Sequence, residues 1–213
     1  MKSAAQRILI SAILTFSVFA DVMAGEPEFA DTTSFVLVKS SHGIVLYERW
    51  YPITPDMRAR EIKASFRIRA TPEAAVALMK DASKGQRWNK NTCSYKVVND
   101  ADNQWVSYIQ YDLPWPVSNQ DCVLQYEQIH ASDTVSIIFK GIKHPLFPES
   151  KRIQRIQELN GKWVFVKKDD EYHVEYYIST TPSKTLPGWM TDPIIRNNLL
   201  DTMYAFRKTL EGH

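Results

Sequence analysis

Glycine and cysteine are both scarce here, with seven glycines and two cysteines in 213 residues. So few glycines leave little room for a loop that cradles phosphates, and no Gly-x-Ser-x-Gly nucleophile turn occurs. Two cysteines cannot build a disulfide framework, and they form no Cys-x2-Cys pair. The histidines, at 42, 130, 144, 173 and 213, show no His-x3-His spacing, so a metal ion is not expected. An excess of one charge is also missing. The formal net charge is +2 without a dense basic tract, which removes the reason to expect nucleic acid. Aromatics, in contrast, are plentiful: six Trp, ten Tyr and nine Phe. With 44% hydrophobic and 23% charged residues, the composition is that of one globular domain large enough for a real core.

The first 24 residues read as a secretory signal peptide, with the domain itself over 25–213. Lys2 and Arg7 give a basic start, residues 8–20 are an apolar run, and Val22 and Ala24 place small residues before a cleavage site. The run is shorter than the roughly 20 residues that span a bilayer. With no Cys near the cut, lipid attachment there is not expected, and the mature chain is almost neutral. The expected location is the periplasm of a Gram-negative bacterium, with secretion as the alternative. Cys93 and Cys122 would meet an oxidising compartment. They open two strands that flank a common neighbour, about twice 4.8 Å apart, beyond the reach of a disulfide. Two small buried thiols are expected.

Period-2 alternation predicts strands over 35–39 and 43–50, ended by Pro52 and Pro55, and over 61–69. Thr71 as N-cap and Pro72 as first residue start a helix that runs to about Lys84, where Gly85 can close it. Strands follow over 92–98, 104–113, 121–130, 134–140, 151–159, 162–168 and 172–180, with Asn160-Gly161 read as one of the turns. Short separators imply a long antiparallel meander. A last helix starts with Asp192 as cap and Pro193 as first residue and extends to about Leu210. Its Ile195, Leu199, Met203, Phe206 and Leu210 form one apolar stripe. One helix lying across a strongly curved antiparallel sheet is an α+β helix-grip arrangement, whose interior is either filled by side chains or held open for a ligand.

The loop at residues 113–121 stands out. Pro114 and Pro116 cannot donate to a sheet ladder and force the chain out of it, presenting Trp115 and Val117 at the tip. Such a loop is a lid over a cavity, a foot on a membrane, or a proline-rich turn packed on the core. Alternation points Ser107, Ile109 and Tyr111 inward before the loop and Cys122, Leu124 and Tyr126 after it. Val135, Ile137 and Phe139 follow on the next strand. Ser107 and Tyr126 would supply the few polar anchors. His173 and Glu175 share a strand face and are either an acid–base pair or two solvent-side residues. No catalytic constellation is recognised.

These features together resemble the START (StAR-related lipid transfer) domain family, of helix-grip, Bet v 1-like fold. Pro114-Trp-Pro-Val-Ser-Asn-Gln-Asp121 is similar to its Pro-aromatic-Pro-x-Ser-Asn/Asp-Arg-Asp signature. Residues 35–39 and 43–49 resemble its opening hairpin, and Arg87-Trp88-Asn89 its Arg-x-x-Trp-Asp segment. Leu186-Pro-Gly-Trp189 resembles its Ile-Pro-x-Trp end. The resemblance implies a tunnel for one lipid or other large apolar molecule, with no cofactor. It also implies a gate formed by the last helix and the loop at Pro114, Trp115, Pro116 and Val117, in transient contact with a membrane surface. A monomer is expected. The ligand contacts would be the inward strand residues named above together with Ile195, Leu199, Met203 and Phe206. The alternative is an enzyme of the same superfamily, cyclase- or hydrolase-like, acting on a small apolar or aromatic substrate. Gln120 departs from the family's Arg and removes the charge partner implied for Asp121. A buried Glu–Arg pair carried by some sterol-binding members would fall, counted without gaps, on Ser107 and Tyr126.

Overall fold

The computed structural model describes residues 34–55, 57–180 and 188–212, so the segment read as a signal peptide and most of residues 181–189 lie outside them. The first strands are β1 (Val36–Ser41), β2 (Ile44–Thr54) and β3 (Met57–Ile68). Two helices follow, α1 (Pro72–Lys80) and α2 (Gly85–Trp88). Then come β4 (Thr92–Ala101), β5 (Gln104–Tyr111), β6 (Gln120–Ala131) and β7 (Thr134–Gly141). The chain ends with β8 (Gln154–Arg155), β9 (Leu159–Lys168), β10 (Glu171–Thr180) and α3 (Gly188–Glu211).

The strands form one curved sheet in the order β1-β2-β3-β10-β9-β7-β6-β5-β4, with the two-residue β8 parallel to β6. Neighbours along the path pair antiparallel. Most are hairpin partners. The exceptions are β3–β10, which joins the first hairpins to the last strand, and β7–β9. α1 and α2 carry the chain from β3 to the far edge at β4. The core lies between the inner face of the sheet and the three helices. The helix-grip α+β architecture is the one the alternation predicts.

Several boundaries differ, each for a physical reason. β2 runs through Pro52, which is tolerated because the register slips between Pro52 and Thr54. α1 stops at Lys80 because the Asp81 carboxylate turns to the Ser83 N–H and hydroxyl (2.9 and 2.6 Å) and to Lys84. These contacts hold its carboxyl at about 2. Gly85 starts α2 instead of closing α1, and a Cβ there would meet the Tyr95 ring at 2.1 Å. Asn160-Gly161 is strand rather than turn, since Gly161 lets the Phe139 ring and the Tyr177 carbonyl approach the backbone, where a Cβ would meet them at 2.5 and 2.0 Å. The strand expected over 151–159 shrinks to β8, with Arg155 drawn to Asp121. α3 begins a turn before Asp192, so Pro193 lies inside the helix and Asp192 pairs sideways with Arg60 and Arg196 instead of capping. Both cysteines are free. Cys122 is buried, but Cys93 is exposed, contrary to the expectation of two buried thiols: it lies on edge strand β4, its thiol directed to the Gln110 carbonyl (3.5 Å).

Candidate functional site

The register brings the expected inward residues onto one face. A transverse row runs Trp105, Tyr126, Phe139, Gly161, Ile178, Ile62 and Glu48, each opposite the next from β5 to β2. Ser107 pairs with Leu124 and Ile109 with Cys122 on the same face. Ile109, Leu124, Tyr126, Ile137 and Phe139 are buried in the main core, and α3 adds Leu199, Met203 and Phe206 to it. Tyr111 and Ile195 are half-buried at its margin. Aromatic contacts knit the face together. Tyr126 stacks on Trp105 at 4.9 Å, and Trp163 packs on Tyr176 at 4.5 Å and on Phe206 of α3 at 4.7 Å.

This interior is apolar but not free of polar atoms. Trp88 Nε1, Trp105 Nε1, Thr92 Oγ1, Ser107 Oγ and Arg60 Nε are buried with no hydrogen-bond partner among the described residues. The Tyr95 phenol lies beside Ser107, but its hydroxyl donates to the Met79 carbonyl (2.8 Å). Tyr111 accepts from Asn89 Nδ2 at 3.3 Å. Burial pushes the phenols of Tyr95, Tyr111, Tyr126 and Tyr176 above their ordinary range and the Cys122 thiol up to about 12. All are therefore neutral at pH 7.

The proline loop is held at its base and open at its tip. Trp115 is 86% exposed, Pro114 is exposed, and Pro116 and Val117 are half-buried, so of Trp115 and Val117 only Trp115 is fully presented. The Asp112 N–H donates to the Asn91 carbonyl (2.8 Å), and Asn91 Nδ2 donates to Asn198 Oδ1 on α3 (2.7 Å). The Lys90 N–H adds a bond to Thr202 Oγ1 at 3.1 Å. At the other end of the loop, Asp121 is 2% exposed and takes a bidentate pair from Arg155 at 2.6 and 2.9 Å. The charge partner that Gln120 cannot supply thus comes from β8. Arg155 also donates to the Phe147 and Pro148 carbonyls, tying down a second proline loop. Phe147 of that loop packs on Val106 and Val123 of the outer face, while Leu146 is left 66% exposed.

Sequence reasoning missed a charged cluster on the inner face. Glu48, 4% exposed, accepts from Trp50 Nε1 (3.0 Å) and from Arg196 Nε and Nη2 of α3 (3.0 and 2.9 Å). Arg60, 5% exposed at its side chain, donates to Asp192 Oδ1 at 2.5 Å, and Asp192 also meets Arg196 at 3.5 Å. On the inner face, charge therefore sits on β2, β3 and α3 and not at Ser107 and Tyr126. The signal was present. Glu48 and Arg60 occupy the same alternation parity as Leu46 and Ile62.

His173 and Glu175 lie on the outer face, opposite in parity to Val174 and Tyr176 of the core, with Nε2 and Oε1 3.9 Å apart. Burial pushes the Glu175 carboxyl up, but the Tyr177 hydrogen bond (2.7 Å) and the Lys63 charge outweigh it and hold it low. A groove of ≈ 350 Å³ opens on that face too, lined by Tyr51, Ala59, Lys140, Asn160 and Ser179 among others.

Against known proteins, the START domain model matches residues 46–213. An uncharacterized protein of Pseudomonas aeruginosa is 22% identical over 200 residues, which are 93% of this chain and 98% of its own. Among solved structures, a STAR-related lipid transfer protein fragment from Xanthomonas axonopodis is 25% identical with a TM-score of 0.72, over 83% of this chain and 98% of that one. The human StAR-related lipid transfer protein 5 is 16% identical with a TM-score of 0.69, over 86% and 89% of the two chains. The latter likeness is one of fold.

Proposed function

The chain belongs to the START domain family, and from that premise we propose that it binds one lipid or other large apolar molecule between the inner face of the sheet and α3. The observation that carries this reading is the pairing of a fully presented Trp115 with a loop base bonded through Asn91 to the helix over an aromatic interior. Loop and helix part together at a membrane surface, admit the ligand and close. Apolar lining is sufficient for affinity. At about 0.8 kcal/mol per buried CH2, an acyl chain of about 16 carbons supplies roughly 13 kcal/mol, which exceeds most of the range of about 4–15 kcal/mol that association costs.

The protein is a carrier or binder and not a catalyst. The interior phenols and the Cys122 thiol are held neutral by burial, so none is a base at pH 7. The carboxylates of Glu48 and Asp192 are engaged by guanidinium groups. His173 and Glu175 face away from the interior. We further propose that the mature chain works in the periplasm, on the sequence of residues 1–24.

Trp115→Asp tests the gate. Transfer of a fluorescent phospholipid between vesicles should slow at least tenfold while thermal unfolding stays unchanged, because an exposed side chain contributes little to stability. Unchanged transfer would remove the membrane-facing role of the loop.

A further inference from the structure

Arg60 is an unusual residue to find on the inner face of this sheet. Its side chain is 5% exposed, its Nη1 is spent on Asp192, and its Nε–H has no partner among the described residues. A buried donor of this kind costs free energy until an acceptor reaches it, the more so on a charged group. Its surroundings narrow the acceptor. The Trp50 ring lies 5.8 Å from the Arg60 Cζ, and Trp50 is the cross-strand partner of Arg60. Glu48, two residues from Trp50 on the same face, ends the row of inward side chains that begins at Trp105. The orphan N–H thus stands at one end of the proposed ligand space, beside the first turns of α3.

Charge decides between an ionic and a neutral ligand end. The cluster holds two guanidinium groups, Arg60 and Arg196, and two carboxylates, Glu48 and Asp192, each engaged with an opposite partner. A further anion would meet the two carboxylates as well as the two cations, and a cation would meet two guanidinium groups already paired. One buried nitrogen donor without an acceptor, in a cluster whose charges balance, asks for an oxygen lone pair and no net charge. Resting on the lipid-binding reading above, we propose that Arg60 Nε and the Trp50 ring form a head-group subsite. It takes a lipid whose polar end offers an uncharged oxygen acceptor, such as an ester carbonyl, rather than a free carboxylate, a phosphate or an amine.

The test uses four ligands of one chain length, methyl oleate, sodium oleate, oleylamine and 1-octadecene, each delivered from cyclodextrin to the full chain and measured by titration of tryptophan fluorescence. Methyl oleate should bind roughly tenfold to hundredfold tighter than 1-octadecene, the range of a hydrogen bond to a charged donor. Oleate and oleylamine should gain no such advantage. Arg60→Lys keeps a cation for Asp192 and loses the Nε–H, so the ratio of methyl oleate affinity to 1-octadecene affinity should fall to about one. Equal binding of the ester and the hydrocarbon by the unaltered protein would overturn the subsite and leave lipid binding standing. Preference for oleate or oleylamine, or a preference for the ester that survives Arg60→Lys, would overturn it equally. Binding of none of the four would overturn the lipid-binding reading as well. The comparison on the unaltered protein decides the matter even if the variant fails to fold.

Discussion

Replacing Arg155 by Met keeps the aliphatic stem and removes the guanidinium from a site where almost no water reaches. Asp121 is 2% exposed and the Arg155 side chain 5%, with two contacts at 2.6 and 2.9 Å between them. The variant leaves the Asp121 carboxylate buried without its partner, a loss of about 3–5 kcal/mol for a broken buried pair. Three further bonds, to the Phe147 and Pro148 carbonyls, go with it. For a domain of this size each kcal/mol lowers the melting temperature by roughly 2–4 °C, so the midpoint should fall by about 6–20 °C. Urea unfolding with a common slope gives the free energy, and thermal melting gives the shift. Asp121→Leu combined with Arg155→Met removes both charges and should recover most of the loss. Arg152→Met, at an exposed neighbour, is the control and should stay within about 0.5 kcal/mol. A loss below about 1 kcal/mol for Arg155→Met, or a double variant no better than the single one, would refute the reasoning. The pair would then be decoration and not the tie between the two proline loops.

The free thiols give a second test. Native protein should react with one equivalent of a thiol reagent at the exposed Cys93, and Cys122, buried and pushed up to about 12, should react only after unfolding. Two fast equivalents would contradict the placement of Cys122. Tyrosines give a third. Tyr95, Tyr108, Tyr111, Tyr126, Tyr176 and Tyr177, six of the ten, are held above the ordinary phenol range, chiefly by burial. Stability they contribute is complete below pH 10 and falls as pH rises through the higher folded values, because the unfolded chain releases the protons first. An absorbance titration of native protein should therefore leave much of the phenolate signal to appear together with unfolding, and a single wave near pH 10 with retained structure would contradict it.

Much of the architecture was legible because period-2 alternation is a local signal. Parity alone points Ser107, Ile109 and Tyr111, and likewise Leu124 and Tyr126, inward, and the register has them on one face. What escaped was non-local. No window around Gln120 reveals that Arg155, 34 residues beyond Asp121, supplies its partner. Asn160-Gly161 has the composition of a turn, and only the Phe139 ring crossing its backbone explains why it is strand. Pro193 looks like a first helical residue because the earlier turn of α3 has no strong start signal. Glu48 and Arg60 were readable as charges at apolar parity, but their meaning needed Asp192 and Arg196 from a helix more than 130 residues away.

The central claim, a lipid held between the sheet and α3, is tested most directly by native mass spectrometry of the protein purified under mild conditions from its own cells. The account predicts a species heavier than the bare chain by one lipid molecule, lost on collisional activation and released intact on denaturation. A bare mass alone, with no uptake after exposure to vesicles of total membrane lipid, would contradict it.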